Sequence, residues 1–165
     1  MILKKYKQIL FYLIMVLIIF LLDRVSKLYI LNLAENSEIL NVYISSYLNF
    51  YLIWNKGIGF GLLSFEQSII YNSITFLIII INVIIVIIIF KINNFTSYFY
   101  LLILGGSLGN LFDRLYYSAV PDFIDFHIGN HHWFIFNLAD IFVSIGIFFL
   151  IISEIFVKKV NINES

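Results

Sequence analysis

From Ile69 to Phe90 the chain carries no charged residue. At 1.5 Å per residue that run makes a helix of about 33 Å, enough to cross the roughly 30 Å hydrocarbon core of a bilayer. Lipid offers no partner to backbone N–H and C=O groups, so a spanning segment of this kind bonds its own backbone as a helix. The remainder of the 165 residues fits that solvent. The chain is 62% hydrophobic and 12% charged, against about 25% charged in soluble domains. A formal net charge of zero leaves no basic stripe for nucleic acid. With no cysteine, disulfides, thiolate nucleophiles and cysteine metal sites are excluded.

Three further apolar runs accompany the first. Lys4, Lys5 and Lys7 precede a run from Ile9 that continues through DRVSKLYIL to about Leu31. No small-residue cleavage site follows it, so it reads as a spanning helix and not as a signal peptide. Residues 98–112 and 138–157 are the other two spans, the last ending at Lys158 and Lys159. The expected fold is an α-helical integral membrane protein of four transmembrane helices, about 9–31, 69–90, 98–112 and 138–157. No repeat or linker divides it, so 1–165 is one membrane-embedded domain. Lys4, Lys5, Lys7, Lys91, Lys158 and Lys159 then fall on one side, against Arg24, Lys27, Lys56 and Arg114. The positive-inside rule puts both termini in the cytoplasm.

Between the first two spans, NVYISSYLNFYLIWNKGIGFG is rich in β-branched and aromatic residues broken by Asn, Ser and Gly. It reads as a small interfacial β-sheet, an extracytoplasmic region of about 38–66. Gly57, Gly59 and Gly61 share one face of an extended chain and let another backbone approach. Residues 115–136 read as a loop. Asn82, in the middle of its span, is expected to bond a neighbouring helix.

Four of the five aspartates, Asp113, Asp122, Asp125 and Asp140, fall between Gly105 and Asp140. Carboxylates clustered at the ends of apolar segments are functional by default, because they are expensive there. Gly105 and Gly109 form a small-xxx-small helix contact, but Asn110, Asp113 and Arg114 follow at spacings that put all three on one helix side. Asp23 and Lys27, four apart, can pair. Asn137 and Asp140 fit the N-cap and N3 positions of the last helix. Pro121 stiffens the approach to Asp122. His127, His131 and His132 lack both a recognised ligand spacing and an obvious carboxylate partner, so no metal is expected and they read as solvated. Asp125 is likewise taken as solvated.

Two neighbouring carboxylates cannot both ionise near neutral pH. The charged one can take a proton from water while the neutral one bonds a scissile carbonyl, and the pair titrates as one unit. A small transporter or proton-conducting protein is the alternative, but it would place its acids in the middle of spans. A non-catalytic assembly subunit would need the glycines and not the acids.

The motifs DRVSK, NKGIGFG, GGSLGNLFDR, VPDFIDF and FNLADI, in that order, resemble those of lipoprotein signal peptidase, or signal peptidase II, of bacterial cytoplasmic membranes. The resemblance covers nearly the whole chain. It implies an aspartyl endopeptidase without cofactor that cuts prolipoproteins just before the diacylglyceryl-modified cysteine, working at the extracytoplasmic face of the membrane. By motif match the catalytic pair is Asp122 and Asp140. Asn55, Asn110, Arg114 and Asn137 match substrate-binding positions, and Asp23, Lys27, Gly57 and Asp113 match supporting ones. Arg114 can pair with Asp113 or reach a substrate carbonyl. The implied partners are the lipid-modified prolipoprotein and membrane lipid, with no nucleic acid and one chain sufficient. Ser107 and Gly59 stand where the family commonly has Ala, and Pro121 where it has a β-branched residue.

Overall fold

A computed structural model describes residues 2–35, 40–57, 68–92, 94–129 and 131–163. In chain order they form α1 (Ile2–Glu35), β1 (Asn41–Ser45), β2 (Leu48–Asn55), α2 (Ser68–Lys91), α3 (Ser97–Tyr117), β3 (Val120–Ile128), β4 (His131–Phe136) and α4 (Leu138–Asn163). Gly59 and Gly61 lie outside the described residues, so the glycine face expected there is not described beyond Gly57.

Among the described residues, three helices hold a stretch long and apolar enough to cross a membrane: Lys5–Glu35, Ile69–Lys91 and Leu138–Phe156. Their outer faces present large side chains such as Leu13 and Leu17 of α1, Phe76 and Val83 of α2, and Phe148 and Ile151 of α4. A soluble surface does not carry apolar patches of that extent. The fourth expected span, α3, is a helix of 21 residues but not an apolar one throughout. GGSLGN and the Asp113–Arg114 pair interrupt it; the face that carries them is buried against its neighbours, while Phe112, Leu115 and Tyr116 are exposed.

That covering explains the glycines. A Cβ on Gly105 would come within 2.7 Å of Ile19 on α1, and one on Gly106 within 2.5 Å of the Ala139 carbonyl on α4. α3 is therefore packed backbone-close to both neighbours, the arrangement that small residues permit between membrane helices. Gly146 of α4 does the same against the Phe99 carbonyl, a contact the sequence pattern did not single out.

The expected loop over 115–136 is the main correction. α3 continues to Tyr117 and ends at Ser118 in a left-handed conformation (φ 57°), and the chain then runs out as β3 and back as β4. The sheet has the order β1-β2-β3-β4 with every neighbouring pair antiparallel. It is thus built half from the segment between α1 and α2 and half from the segment between α3 and α4. Pro121 sits second in β3, opposite Trp54 of β2 and ahead of the first β4 pairing at Ile124. A residue without N–H is tolerated near the start of a strand. Phe123 buries its ring with Ile30 and Leu40, which seats the sheet on the end of α1.

Asn82 is a second correction. Both amide atoms are buried without a hydrogen-bond partner among the described residues. They face a cavity of about 500 Å³ whose other walls are apolar, including Tyr12, Val16, Leu104 and Leu108. The groups opposite are hydrocarbon, so no interhelical bond forms. Replacing an unsatisfied buried amide by an apolar group of similar shape removes a desolvation penalty of about 1–3 kcal/mol. Asn82→Leu is expected to raise the melting temperature in detergent, and a lower one would show that the amide is bonded.

Candidate active site

Four charged residues are buried where α1, α3 and α4 meet. Asp23, Lys27 and Asp113 are each 0% exposed, and Arg24 is 8%. Two anions and two cations cancel, as charges withdrawn from water must. Lys27 Nζ donates to Asp23 Oδ2 at 2.9 Å and to Asp113 Oδ2 at 2.6 Å. Arg24 grips Asp113 with both terminal nitrogens, at 2.5 and 2.8 Å, and also reaches Asp23 at 2.8 Å. Asp23 Oδ1 accepts the Ala139 N–H at 3.1 Å, a free donor in the first turn of α4. A Cβ at position 109 would lie 2.5 Å from Asp23 Oδ2, so Gly109 makes room for the network.

The expected pairing of Asp23 with Lys27 is present. Arg24 was not expected here, although neutrality pointed to it: Asp23 and Lys27 cancel, which leaves Asp113 in want of a buried cation. Arg114 does not pair with Asp113. Its Nη2 donates to the Gly57 carbonyl, its guanidinium lies 5.1 Å from the centre of the Tyr71 ring, and its Nη1 is buried with no partner among the described residues.

Above this network lie Asp122, 1% exposed on β3, and Asp140 in the first turn of α4. Their four carboxylate oxygens have one donor each. Asp122 Oδ1 accepts from Asn137 Nδ2 at 2.6 Å and Oδ2 from Asn55 Nδ2 at 2.9 Å. Asp140 Oδ1 accepts from Asn110 Nδ2 at 2.8 Å and Oδ2 from the Asn137 backbone N–H at 3.2 Å. Asn137 Oδ1 in turn accepts the Asp140 N–H at 3.1 Å, closing the reciprocal cap expected at this helix start.

The direction of each amide follows from what stands behind it. Asn110 Oδ1 faces the Lys27 ammonium at 2.8 Å, a group that only donates, so its NH₂ must face Asp140. Asn55 Oδ1 accepts the Gly57 N–H at 2.8 Å, so its NH₂ faces Asp122. Asn137 is held the same way by its own cap. Three amides are thereby committed to present N–H to the two acids.

Burial raises the Asp122 pKa from its ordinary value to about 7, and the neighbouring Asp140 charge pushes in the same direction. The Asn55 and Asn137 amides and Lys27 oppose the shift without cancelling it. Both acids line a cavity of about 370 Å³, together with Asn55, Asn110 and Arg114. Its far end is aliphatic, and there Leu77, Ile81 and Ile147 are each about half exposed, so it is not sealed. Every expected substrate-binding residue except Asn137 lines this cavity, and Asn137 bridges the acids from behind.

A family profile described as Signal peptidase (SPase) II matches residues 15–156. The chain belongs to the signal peptidase II family. A protein of Pelagibacter ubique named lipoprotein signal peptidase is 51% identical over 152 residues, covering 92% of each chain. One of the same name from Aquifex aeolicus is 39% identical over 149 residues, covering 89% of this chain and 87% of its own. Among solved structures, one described as a bacterial membrane enzyme obtained by the in meso method at 2.3 Å resolution superposes with a TM-score of 0.68. It is 28% identical and covers 87% of each chain. A second, at 1.9 Å resolution, gives 0.64 at the same identity, covering 86% of this chain and 90% of its own. Signal peptidase II is a protease of the aspartic type, which is the class the two carboxylates imply.

The ion network makes a stability prediction. Removing one partner of a buried ion pair costs about 3–5 kcal/mol. Lys27→Met leaves two anions with Arg24 alone and strips Asn110 Oδ1 of its donor. Its unfolding midpoint in detergent is expected to fall by that order, and a midpoint near wild type would mean the lysine is dispensable.

Proposed function

We propose that this chain removes signal peptides from bacterial prolipoproteins by cutting just before the diacylglyceryl-modified cysteine, with Asp122 and Asp140 as the catalytic pair. The observation that carries the reading is that both carboxylates line one cavity while three oriented amides and one backbone N–H occupy their oxygens. With Asp122 raised to about 7, the pair holds one proton near neutrality. The ionised acid takes a proton from water as that water attacks the scissile carbonyl, and the protonated acid bonds and then protonates the carbonyl oxygen. As the tetrahedral intermediate collapses, the acid that took the water proton gives it to the leaving amine nitrogen and the other acid takes back a hydroxyl proton, so the pair again holds one proton. No covalent intermediate is required.

Asn55 and Asn110, which line the cavity, each keep a second amide hydrogen for substrate backbone that has left its helix, while Asn137, fully buried, acts on substrate through the two acids it joins. Arg114 Nη1 is a further donor without a partner among the described residues. Asp23, Lys27, Asp113 and Gly57 act from behind, by holding those amides and that guanidinium. The aliphatic end of the cavity fits a substrate whose acyl chains stay in lipid. Residues 1–165 then form one peptidase domain with four spans, both termini cytoplasmic and the sheet on the extracytoplasmic face of the bacterial inner membrane. The charge distribution supports that orientation. One chain holds both acids, which supports activity as a monomer.

The test is cleavage of a diacylglyceryl-modified prolipoprotein by the purified protein in detergent. Asp122→Asn and Asp140→Asn are each expected to lose activity by about 100-fold or more while inserting normally. Near-normal cleavage by either variant would remove that residue from the pair. The pH dependence follows from the same shift. Above about 7 the pair becomes doubly charged, so kcat/KM is expected to fall on the alkaline side with a midpoint near that value. Stability moves likewise: a folded pKa above the ordinary one means that the folded state holds the proton more tightly, and stability declines as pH rises from about 4 through about 7. Asp122→Asn, which stays neutral, is expected to melt higher than wild type at pH 8, with the difference shrinking towards pH 4. An equal difference at both pH values would contradict the shift.

A further inference from the structure

The β3–β4 hairpin carries a second polar cluster, on the opposite side of the sheet from Asp122. Residues two apart on a strand share a face and residues three apart do not, so Asp125 and His127 point away from the Asp122 side. His132 of β4 pairs with His127 in the ladder, and Asn49 of β2 pairs with Asp125. The chain turns between β3 and β4 at Gly129, whose φ is +59°, and this brings the two histidines opposite each other. Three strands thus gather a carboxylate, two imidazoles and an amide. The reading of Asp125 and His127 as solvated is corrected here: Asp125 is 1% and His127 7% exposed, with the carboxylate two residues away on the same strand, whereas His131 and His132 are exposed as expected.

The local bonding is incomplete. His132 Nδ1 lies 2.9 and 2.8 Å from the two Asp125 oxygens. His127 Nδ1 stands 3.5 Å from Asp125 Oδ2 and has no hydrogen-bond partner among the described residues, nor has Oδ1 of Asn49, the residue opposite Asp125. Buried polar atoms without partners are rare and costly. One ligand atom from each of Asp125, His127 and His132 can be chosen so that all lie within 4.8 Å of one another.

We propose that Asp125, His127 and His132 form a binding site for a divalent transition metal of the zinc class. Two imidazoles and one carboxylate, with a fourth position open, are a donor set suited to zinc. Calcium and magnesium prefer all-oxygen ligands and are disfavoured. Bonds of about 2.1 Å at tetrahedral angles place ligand atoms about 3.4 Å apart, close to the His127–Asp125 separation. The His132–Asp125 hydrogen bond opens by a fraction of an ångström as the metal takes the Nδ1 lone pair and the neutral ring carries its proton on Nε2. His132 has a half-exposed side chain, so it can make that movement. Asn49 Oδ1 accepts from water in the fourth position. The metal ties β4 to β3, the strand that carries Asp122, and supports the hairpin without touching the peptide-cutting cavity. The site stands whether or not the peptidase reading holds.

The experiment uses chelator-stripped protein in detergent, titrated with Zn²⁺ by calorimetry and with Co²⁺ followed by its visible absorption. One Zn²⁺ per chain is expected, with the absorption of a low-coordinate Co²⁺ ion. His132→Ala and His127→Phe are each expected to weaken Zn²⁺ binding about tenfold or more, while His131→Ala leaves it unchanged. Bound metal stabilises the folded state by mass action, so zinc raises the melting temperature of wild type and not of His132→Ala. Melting in chelator establishes that the variants are folded. The proposal fails if wild type binds zinc no better than His132→Ala, if His131→Ala abolishes binding, or if no stoichiometric binding is seen.

Discussion

The Lys27 ammonium has three hydrogens and no lone pair, and each hydrogen has an acceptor: buried Asp23 and Asp113, and half-buried Asn110. Hydrocarbon cannot solvate a charge, so a lysine in this position must be neutralised by its neighbours. Satisfying it brings α1 against α3 and, through the Asp23–Ala139 bond, against the start of α4. Gly109 is bare because Asp23 occupies the space of a side chain there. Arg24 completes neutrality. The same bonds that make the charges tolerable therefore fix where three helices meet.

The third acceptor of Lys27 connects this network to the two acids. By taking the Asn110 carbonyl, the lysine turns that amide nitrogen towards Asp140. Gly57 does the equivalent through Asn55 for Asp122, and the α4 cap does it through Asn137. Donors thus face the two carboxylates because the opposite ends of the amides are already taken. Preorganised dipoles of this kind stabilise charge without having to reorient during the reaction. Burial works against them at Asp122 and holds its pKa near 7. In the proposed mechanism, the balance between amides and burial leaves one proton on the pair.

Much of this was legible in the sequence because it is local. The charge-free run of α2, the Asp23–Lys27 spacing and the Asn137–Asp140 cap depend on residues within one or two turns of each other. What was not legible depends on partners distant in the chain. Residues 120–136 read as a loop because their strands need β2, some seventy positions earlier, to form a ladder. Asp125 looked solvated because its partner His132 becomes adjacent only when the hairpin closes. Arg24 was overlooked because Asp113 is 89 residues away. Asn82 misled in the other sense: an amide in a span normally finds a partner, and here the facing residues are all apolar.

The most direct test of the central claim is a titration of the Asp122 carboxyl, followed by ¹³C NMR of labelled aspartate in detergent, in wild type and in Asp140→Asn. A buried acid coupled to its partner is predicted to titrate near pH 7 in wild type. With Asp140 neutral, its midpoint should drop while staying above the ordinary carboxylate range, since burial remains. A wild-type midpoint near 4, or one unchanged when Asp140 is neutralised, would contradict the coupled pair on which the account rests.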